Sequence, residues 1–154
     1  MRITDILEGE GLIVPALRAE TKGDVLTELA HLLSAQHQEV EEKRLVDVLW
    51  ERERLGSTAI GDGIAIPHGK LQGVRGVVGM FGRHVQGVDF DSLDGNPTKL
   101  FFLLVAPEES VGQHLKALAR VSRLLKDGDF RNCLIEAGDA AEILRLIRSE
   151  DEKL

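Results

Sequence analysis

Apolar positions recur at helical spacing toward both ends of the chain and form continuous short runs through its middle. Residues 12–15, Leu-Ile-Val-Pro, predict an edge strand, the sheet position that tolerates a proline. Thr21 reads as an N-cap with Asp24 three residues on, an approximate capping box. The helix it opens carries Val25, Leu26, Leu29, Leu32 and Leu33 on one face. A second helix is predicted from Glu41 to Arg54, with Leu45, Val48 and Leu49 inward and its Glu and Arg residues outward.

The pattern changes at Gly56. Residues 56–73 hold Gly56, Gly61, Gly63, Gly69 and Gly73, and inside this block Ile64-Ala65-Ile66-Pro67-His68-Gly69 reads as a short strand running into a turn. Val77 to Phe81 and Leu100 to Val105 predict further strands. The second is apolar almost throughout, as a central strand covered on both faces requires. Ser110 reads as the N-cap of a helix reaching Lys126, with His114, Leu118, Val121 and Leu125 in one stripe. Phe130–Ala137 and Ala140–Arg148 predict two closing helices, the first ended by Gly138. Helices on both sides of a set of strands predict an α/β fold, a three-layer α/β/α sandwich with a mixed β-sheet flanked by helices. A length of 154 residues suits one domain spanning 1–154.

Charge narrows the partners. With 26 acidic and 19 basic residues the chain carries a formal net charge of −7, which argues against nucleic acid. The longest apolar stretch, Leu100 to Ala106, is too short to cross a bilayer, so no membrane insertion is expected. No secretory-type apolar run follows Met1, and Cys133 is the single cysteine; a cytoplasmic location is the expectation. Beside Leu134 and Ile135, Cys133 reads as a buried, inert thiol.

Several chemistries fail on spacing. A P-loop needs four residues between Gly and Gly-Lys-Ser/Thr; Gly63 is followed by five before Gly69-Lys70, and Leu71 replaces the hydroxyl. Ile66 stands where a dinucleotide fingerprint on Gly61 and Gly63 needs its third glycine. The chain has no His-Glu-x-x-His, no cysteine pair and no Gly-x-Ser-x-Gly. Neither cofactor nor metal is expected. His68 is different: Pro67 fixes the backbone before it, and Gly69 keeps the next position free of a side chain. A neutral imidazole is a good nucleophile, and phosphoryl transfer to it needs little beyond positioning and charge stabilisation. The residues alone also allow a turn histidine with no chemistry.

The segment Arg52-Glu53-Arg54-Leu55-Gly56-Ser57-Thr58-Ala59-Ile60-Gly61-Asp62-Gly63-Ile64-Ala65-Ile66-Pro67-His68-Gly69-Lys70 closely resembles the active-site block of the enzyme IIA domains of the bacterial sugar phosphotransferase system (PTS). It is most similar to the nitrogen-regulatory branch, PtsN, and more distantly to the fructose and mannitol IIA domains. The resemblance extends over nearly the whole chain and implies the PTS EIIA type 2 fold. It implies that His68 is phosphorylated, that His114 in Gly112-Gln113-His114-Leu115 supports it, and that Arg52 is the third element. A guanidinium offers paired donors to phosphoryl oxygens, and a helix N-terminus favours an anion beside His114. Alternatives stay open. His114 lies on an apolar stripe and also reads as a core histidine, while Arg54 competes with Arg52, which is preferred. Ser57 and Thr58 read equally as site donors or turn residues, and Lys70 as an attractor of a phosphorylated donor or ordinary surface. His31, His37 and His84 carry no motif.

The function implied is a His-to-His phosphoryl relay in which an HPr-like phosphocarrier (NPr) donates to His68, with no metal or nucleotide needed. The chain ends at Leu154 with no attached IIB, IIC or HPr-like module, which favours a free-standing regulator acting on targets such as potassium-transport regulators. One rival is a stand-alone fructose/mannitol-type IIA that passes phosphate to a IIB domain. Another is a binding module that has lost phosphorylation.

Overall fold

The computed structural model describes residues 1–154. Its elements in chain order are helix α1 (Ile3–Ile6), a 3-10 turn (Glu10–Leu12), strand β1 (Ile13–Val14), helices α2 (Lys22–Gln36) and α3 (Glu42–Arg54), and strands β2 (Ala59–Gly61), β3 (Ile64–Ala65), β4 (His68–Leu71), β5 (Val78–Val88) and β6 (Thr98–Pro107). Helices α4 (Val111–Leu124), α5 (Gly128–Glu136) and α6 (Ala140–Glu152) close the chain. The sheet runs β1-β5-β6-β3-β2, with β4 also paired to β6. It is mixed: β1–β5, β3–β6 and β4–β6 are parallel, whereas β5–β6 and β2–β3 are antiparallel.

β6 is the axis of the sheet. Every residue from Leu100 to Ala106 is at most 1% exposed, because β5 and the β3–β4 run flank the strand and helices cover both faces. Two glycines mark those faces. A Cβ on Gly79 would meet Ile6 of α1, while one on Gly82 would meet Leu17 and Leu29, the latter on α2. Helices α2 and α3 pack on one side of the sheet and α1, α4 and α6 on the other. The three-layer α/β/α arrangement expected from the pattern is the one observed.

The edge strand at Ile13–Val14 and the Thr21 cap both hold: Thr21 Oγ1 accepts the Asp24 N–H at 3.2 Å. Several expectations are corrected. The strand expected at 77–81 continues to Val88 through the polar residues Arg83, His84 and Gln86, because the antiparallel β6 pairs with it as far as Thr98. His68 does not sit in a turn after one strand. Ile64–Ala65 and His68–Leu71 are two strands on the same partner, with Ile64 opposite Leu100 and His68 opposite Leu104 in unbroken register. Pro67 divides them, and its carbonyl still accepts the Leu104 N–H at 3.0 Å. Ser110 occupies the N-cap of α4 without capping it by its side chain; its hydroxyl turns back to the Pro107 carbonyl. Cys133 is exposed, not buried, since Phe130 and Leu134 take the inward positions of α5.

Arg83 is buried and makes no ion pair with a carboxylate. Its Nη1 donates to the carbonyls of Leu134, Ile135 and Ala137 at 2.9, 3.1 and 2.6 Å, and its Nε to that of Pro15 at 2.9 Å. One guanidinium thus satisfies carbonyls that the end of α5 leaves without partners. A second clasp joins α1, α4 and α6: buried Asp151 accepts from Arg120 Nε at 2.8 Å and from the Thr4 N–H at 3.2 Å.

Candidate functional site

His68 is the first residue of β4, half-buried just past the Pro67 break in the β3–β4 run. Its Nδ1 lies 2.7 Å from the Ile66 carbonyl, an acceptor only, so the ring donates there. That keeps the proton on Nδ1 and leaves Nε2 unprotonated, an acceptor. Arg52, in the last turn of α3, directs its Nε at that Nε2 from 3.3 Å, and its Nη1 donates to the Gly56 carbonyl at 2.9 Å. The guanidinium is therefore held from the glycine loop while one edge faces the imidazole. Arg54, two residues further and on another side of the helix, is exposed and makes no hydrogen bond or ion pair through its side chain.

His114 projects from the first turn of α4 and meets His68 edge to face, with ring centroids 5.3 Å apart and planes at 84°. It is 7% exposed, yet its Nε2 has no hydrogen-bond partner. An unpaired buried ring nitrogen costs free energy in an ordinary core. The core-histidine alternative supplies no partner that would offset this. The two rings, with Lys70, Val111, Leu115 and Leu118, line a shallow cleft. Val111 and Leu115 are 55% and 62% exposed, so the cleft has an apolar rim. A larger hollow among Gln38, Glu39, Gly73 and Arg75 lies apart from these histidines.

Burial lowers the pKa of His68 below the ordinary histidine value, and the Arg52 charge lowers it further; the Ile66 hydrogen bond and the Glu53 charge oppose this in part. His114 is lowered too, by burial first and then by the charges of His68 and Lys70. Both shifts favour the neutral form of the rings. A ring whose Nε2 carries no proton and accepts from a guanidinium, with a second imidazole against it, is an arrangement that can supply a nucleophile with hydrogen-bond donors beside it for an anion.

The three residues picked out from the sequence, Arg52, His68 and His114, thus come together from α3, β4 and α4. Ser57 and Thr58 act in the loop. Ser57 Oγ donates to the Phe90 carbonyl at 2.6 Å, and the Thr58 N–H donates to Glu53 at 3.1 Å. Glu53 was expected outward with the other Glu and Arg residues of its helix and is instead buried, paired with Lys22 at 2.9 Å. Its signal lay in the sequence, for it follows Leu45 and Leu49 at four-residue spacing on the inward stripe of α3.

The sequence profile of the family described as "Phosphoenolpyruvate-dependent sugar phosphotransferase system, EIIA 2" matches residues 7–150. The chain is 44% identical over 147 residues to a nitrogen regulatory protein of Bradyrhizobium diazoefficiens, covering 96% of this chain and 95% of that one. It is 35% identical over 152 residues to the fructose-specific EIIABC component of Bacillus subtilis, covering 99% of this chain and 24% of that protein. The crystal structure of the nitrogen regulatory protein IIA-Ntr from Neisseria meningitidis superposes with a TM-score of 0.87 at 32% identity, covering 94% of this chain and 98% of that one. The fold, the profile and these relatives agree: the chain belongs to the PTS EIIA type 2 family, a phosphotransfer component of the phosphotransferase system.

Proposed function

We propose that this protein, as one unit over residues 1–154, is a regulatory phosphoryl carrier that accepts a phosphoryl group on Nε2 of His68 from an HPr-like phosphocarrier (NPr) in the cytoplasm. The observation that carries the reading is the pair of contacts on the His68 ring, Nδ1 to the Ile66 carbonyl at 2.7 Å and Nε2 to Arg52 at 3.3 Å. Together they aim an unprotonated nitrogen at a cation.

In the transfer step the Nε2 lone pair forms a bond to phosphorus while the P–N bond to the donor's histidine breaks. The electron pair of that bond stays on the donor imidazole. His68 keeps its Nδ1 proton throughout, held by Ile66. Arg52 offers its guanidinium to the phosphoryl oxygens, and the unpaired Nε2 of His114 is the second group placed to meet them. The exposed Val111 and Leu115 at the cleft rim give a docking protein an apolar contact. In the proposed role, phosphorylated and unphosphorylated forms then bind target proteins differently, with regulators of potassium transport as candidates.

The 44% identity to a nitrogen regulatory protein supports regulation over sugar uptake. The match to a fructose-specific component supports the alternative, a IIA that hands phosphate to a IIB domain. Intact-mass measurement after incubation with phosphoenolpyruvate, enzyme I and the phosphocarrier tests acceptance: one phosphoryl mass is expected, absent in His68→Ala. A gain that survives His68→Ala overturns the assignment. Rapid onward transfer from the phosphorylated protein to a IIB domain would favour the transport reading.

A further inference from the structure

We propose that Glu53 is the positioning residue of this site, a buried carboxylate that sets the tautomer and direction of the His68 ring through the backbone of the glycine loop. The inference rests on the reading of His68 as the phosphoryl acceptor. Its ground is a continuous hydrogen-bonded path. Glu53 Oε1 accepts the Thr58 N–H at 3.1 Å, the Thr58 carbonyl accepts the Ile66 N–H at 3.1 Å, and the Ile66 carbonyl accepts the His68 Nδ1–H at 2.7 Å. The carboxylate thus lies three links from the ring nitrogen that must keep its proton.

The same carboxylate fixes the loop from other directions. Its Oε2 accepts a hydrogen bond from the Thr58 hydroxyl, and its Oε1 pairs with Lys22 Nζ at 2.9 Å. Lys22 in turn lies over the Phe90 ring, 4.8 Å from its centroid, and the Phe90 carbonyl holds Ser57. Gly56, at the head of the loop, is held by Arg52, the neighbour of Glu53 on α3. Both contacts of the His68 ring therefore trace back to adjacent residues of one helical turn.

A carboxylate whose side chain is 1% exposed is costly to bury unless paired, and an apolar residue on the α3 stripe would fill the space without that cost. Polar partners that orient a reactive imidazole have a role a hydrocarbon cannot take. The charged or titratable groups facing His68 are Arg52 and Glu53 from α3, Lys70 on its own strand and His114 from α4. Of these Glu53 is the one anion.

The test reads the ring directly. Long-range 1H–15N correlation spectra of the unphosphorylated, 15N-labelled full chain report the His68 tautomer, and a pH titration reports its midpoint. Wild-type protein is expected to show the Nδ1–H form. In Glu53→Gln the tautomers mix, the midpoint falls further because the nearby anion is gone, and phosphorylation slows about tenfold. Should that variant not fold, Thr58→Val removes one donor to the carboxylate and is expected to move the tautomer in the same direction. Thr58→Ser, which returns the hydroxyl, is expected to recover it. A folded variant with wild-type ring signals overturns the proposal whatever its transfer rate, since a purely structural ion pair would change the melting temperature and leave the ring alone. If wild-type protein takes up no phosphoryl group, the acceptor reading fails, while the ring spectra still decide the role of Glu53.

Discussion

Gly69 and Val48 leave no room between them for a methyl group: a Cβ on Gly69 would overlap Cγ1 of Val48. Val48 stands on α3, one turn before Arg52, and Gly69 follows His68 on β4. The missing side chain is what lets the helix bearing the guanidinium lie against the strand bearing the imidazole.

Gly69→Ala is accordingly expected to push α3 from β4, destabilising the fold by about 1–3 kcal/mol and slowing phosphorylation more than stability alone explains. Val48→Ala in the same chain makes space, and the pair should be better than the sum of the single changes. Urea unfolding of all four chains of the cycle measures this. Additive losses would show that the contact does not couple the two elements.

Arg52→Ala should slow phosphorylation of His68 about 10- to 100-fold, the worth of a charge-assisted hydrogen bond made in the transfer step. Arg54→Ala should leave the rate within about twofold, because that side chain is free in solvent. A transfer time course on the two variants checks the choice between arginines, and the reverse ranking would refute it.

Stability should fall as the solution is acidified through the histidine range. His68 and His114 both have folded-state pKa values below the ordinary one, so the unfolded chain binds more protons as pH drops. Their contribution is complete above about pH 6.5, the unfolded value, and is lost as pH falls through the lower folded values. Urea midpoints at about pH 7.5 and 5.5 should differ less in a His68→Gln/His114→Gln chain than in wild type. With His68 as the proposed nucleophile in its neutral form, phosphorylation should also persist to lower pH than reaction at free imidazole.

Arg83→Met should cost about 3 kcal/mol, because it takes away the donor that the carbonyls at the end of α5 and at Pro15 share. A thermal melt with phosphorylation measured well below the transition separates this from the site: the melting temperature drops while the transfer rate holds.

Much of this was written in one-dimensional patterns. The unbroken apolar run at Leu100–Ala106 announced a strand with no exposed face, and the Thr21 cap and the α2 stripe gave the start and orientation of that helix. The His68 block was legible only in part: Pro67 and Gly69 marked a break in the chain, but the break lies between two strands on β6 and not at a turn, because the pairing with β6 resumes at His68. Less legible were features that depend on distant partners. Whether Arg52 or Arg54 meets His68 is decided by where α3 sits on β4, which no local rule states. Cys133 followed its apolar neighbours in composition but not in direction, since helical geometry turned it outward. Glu53 was misread for the opposite reason: charge suggested solvent, whereas its four-residue spacing from Leu49 pointed inward.

Because β3, β4 and β5 all pair with β6, residues made early wait for one made late. During synthesis His68 leaves the ribosome well before Thr98–Pro107 and α4 exist to complete its surroundings. A chain lacking β6 and α4 has the histidine but neither the strand that pairs with β4 nor the ring of His114, so the surroundings of His68 form only once those later elements are made.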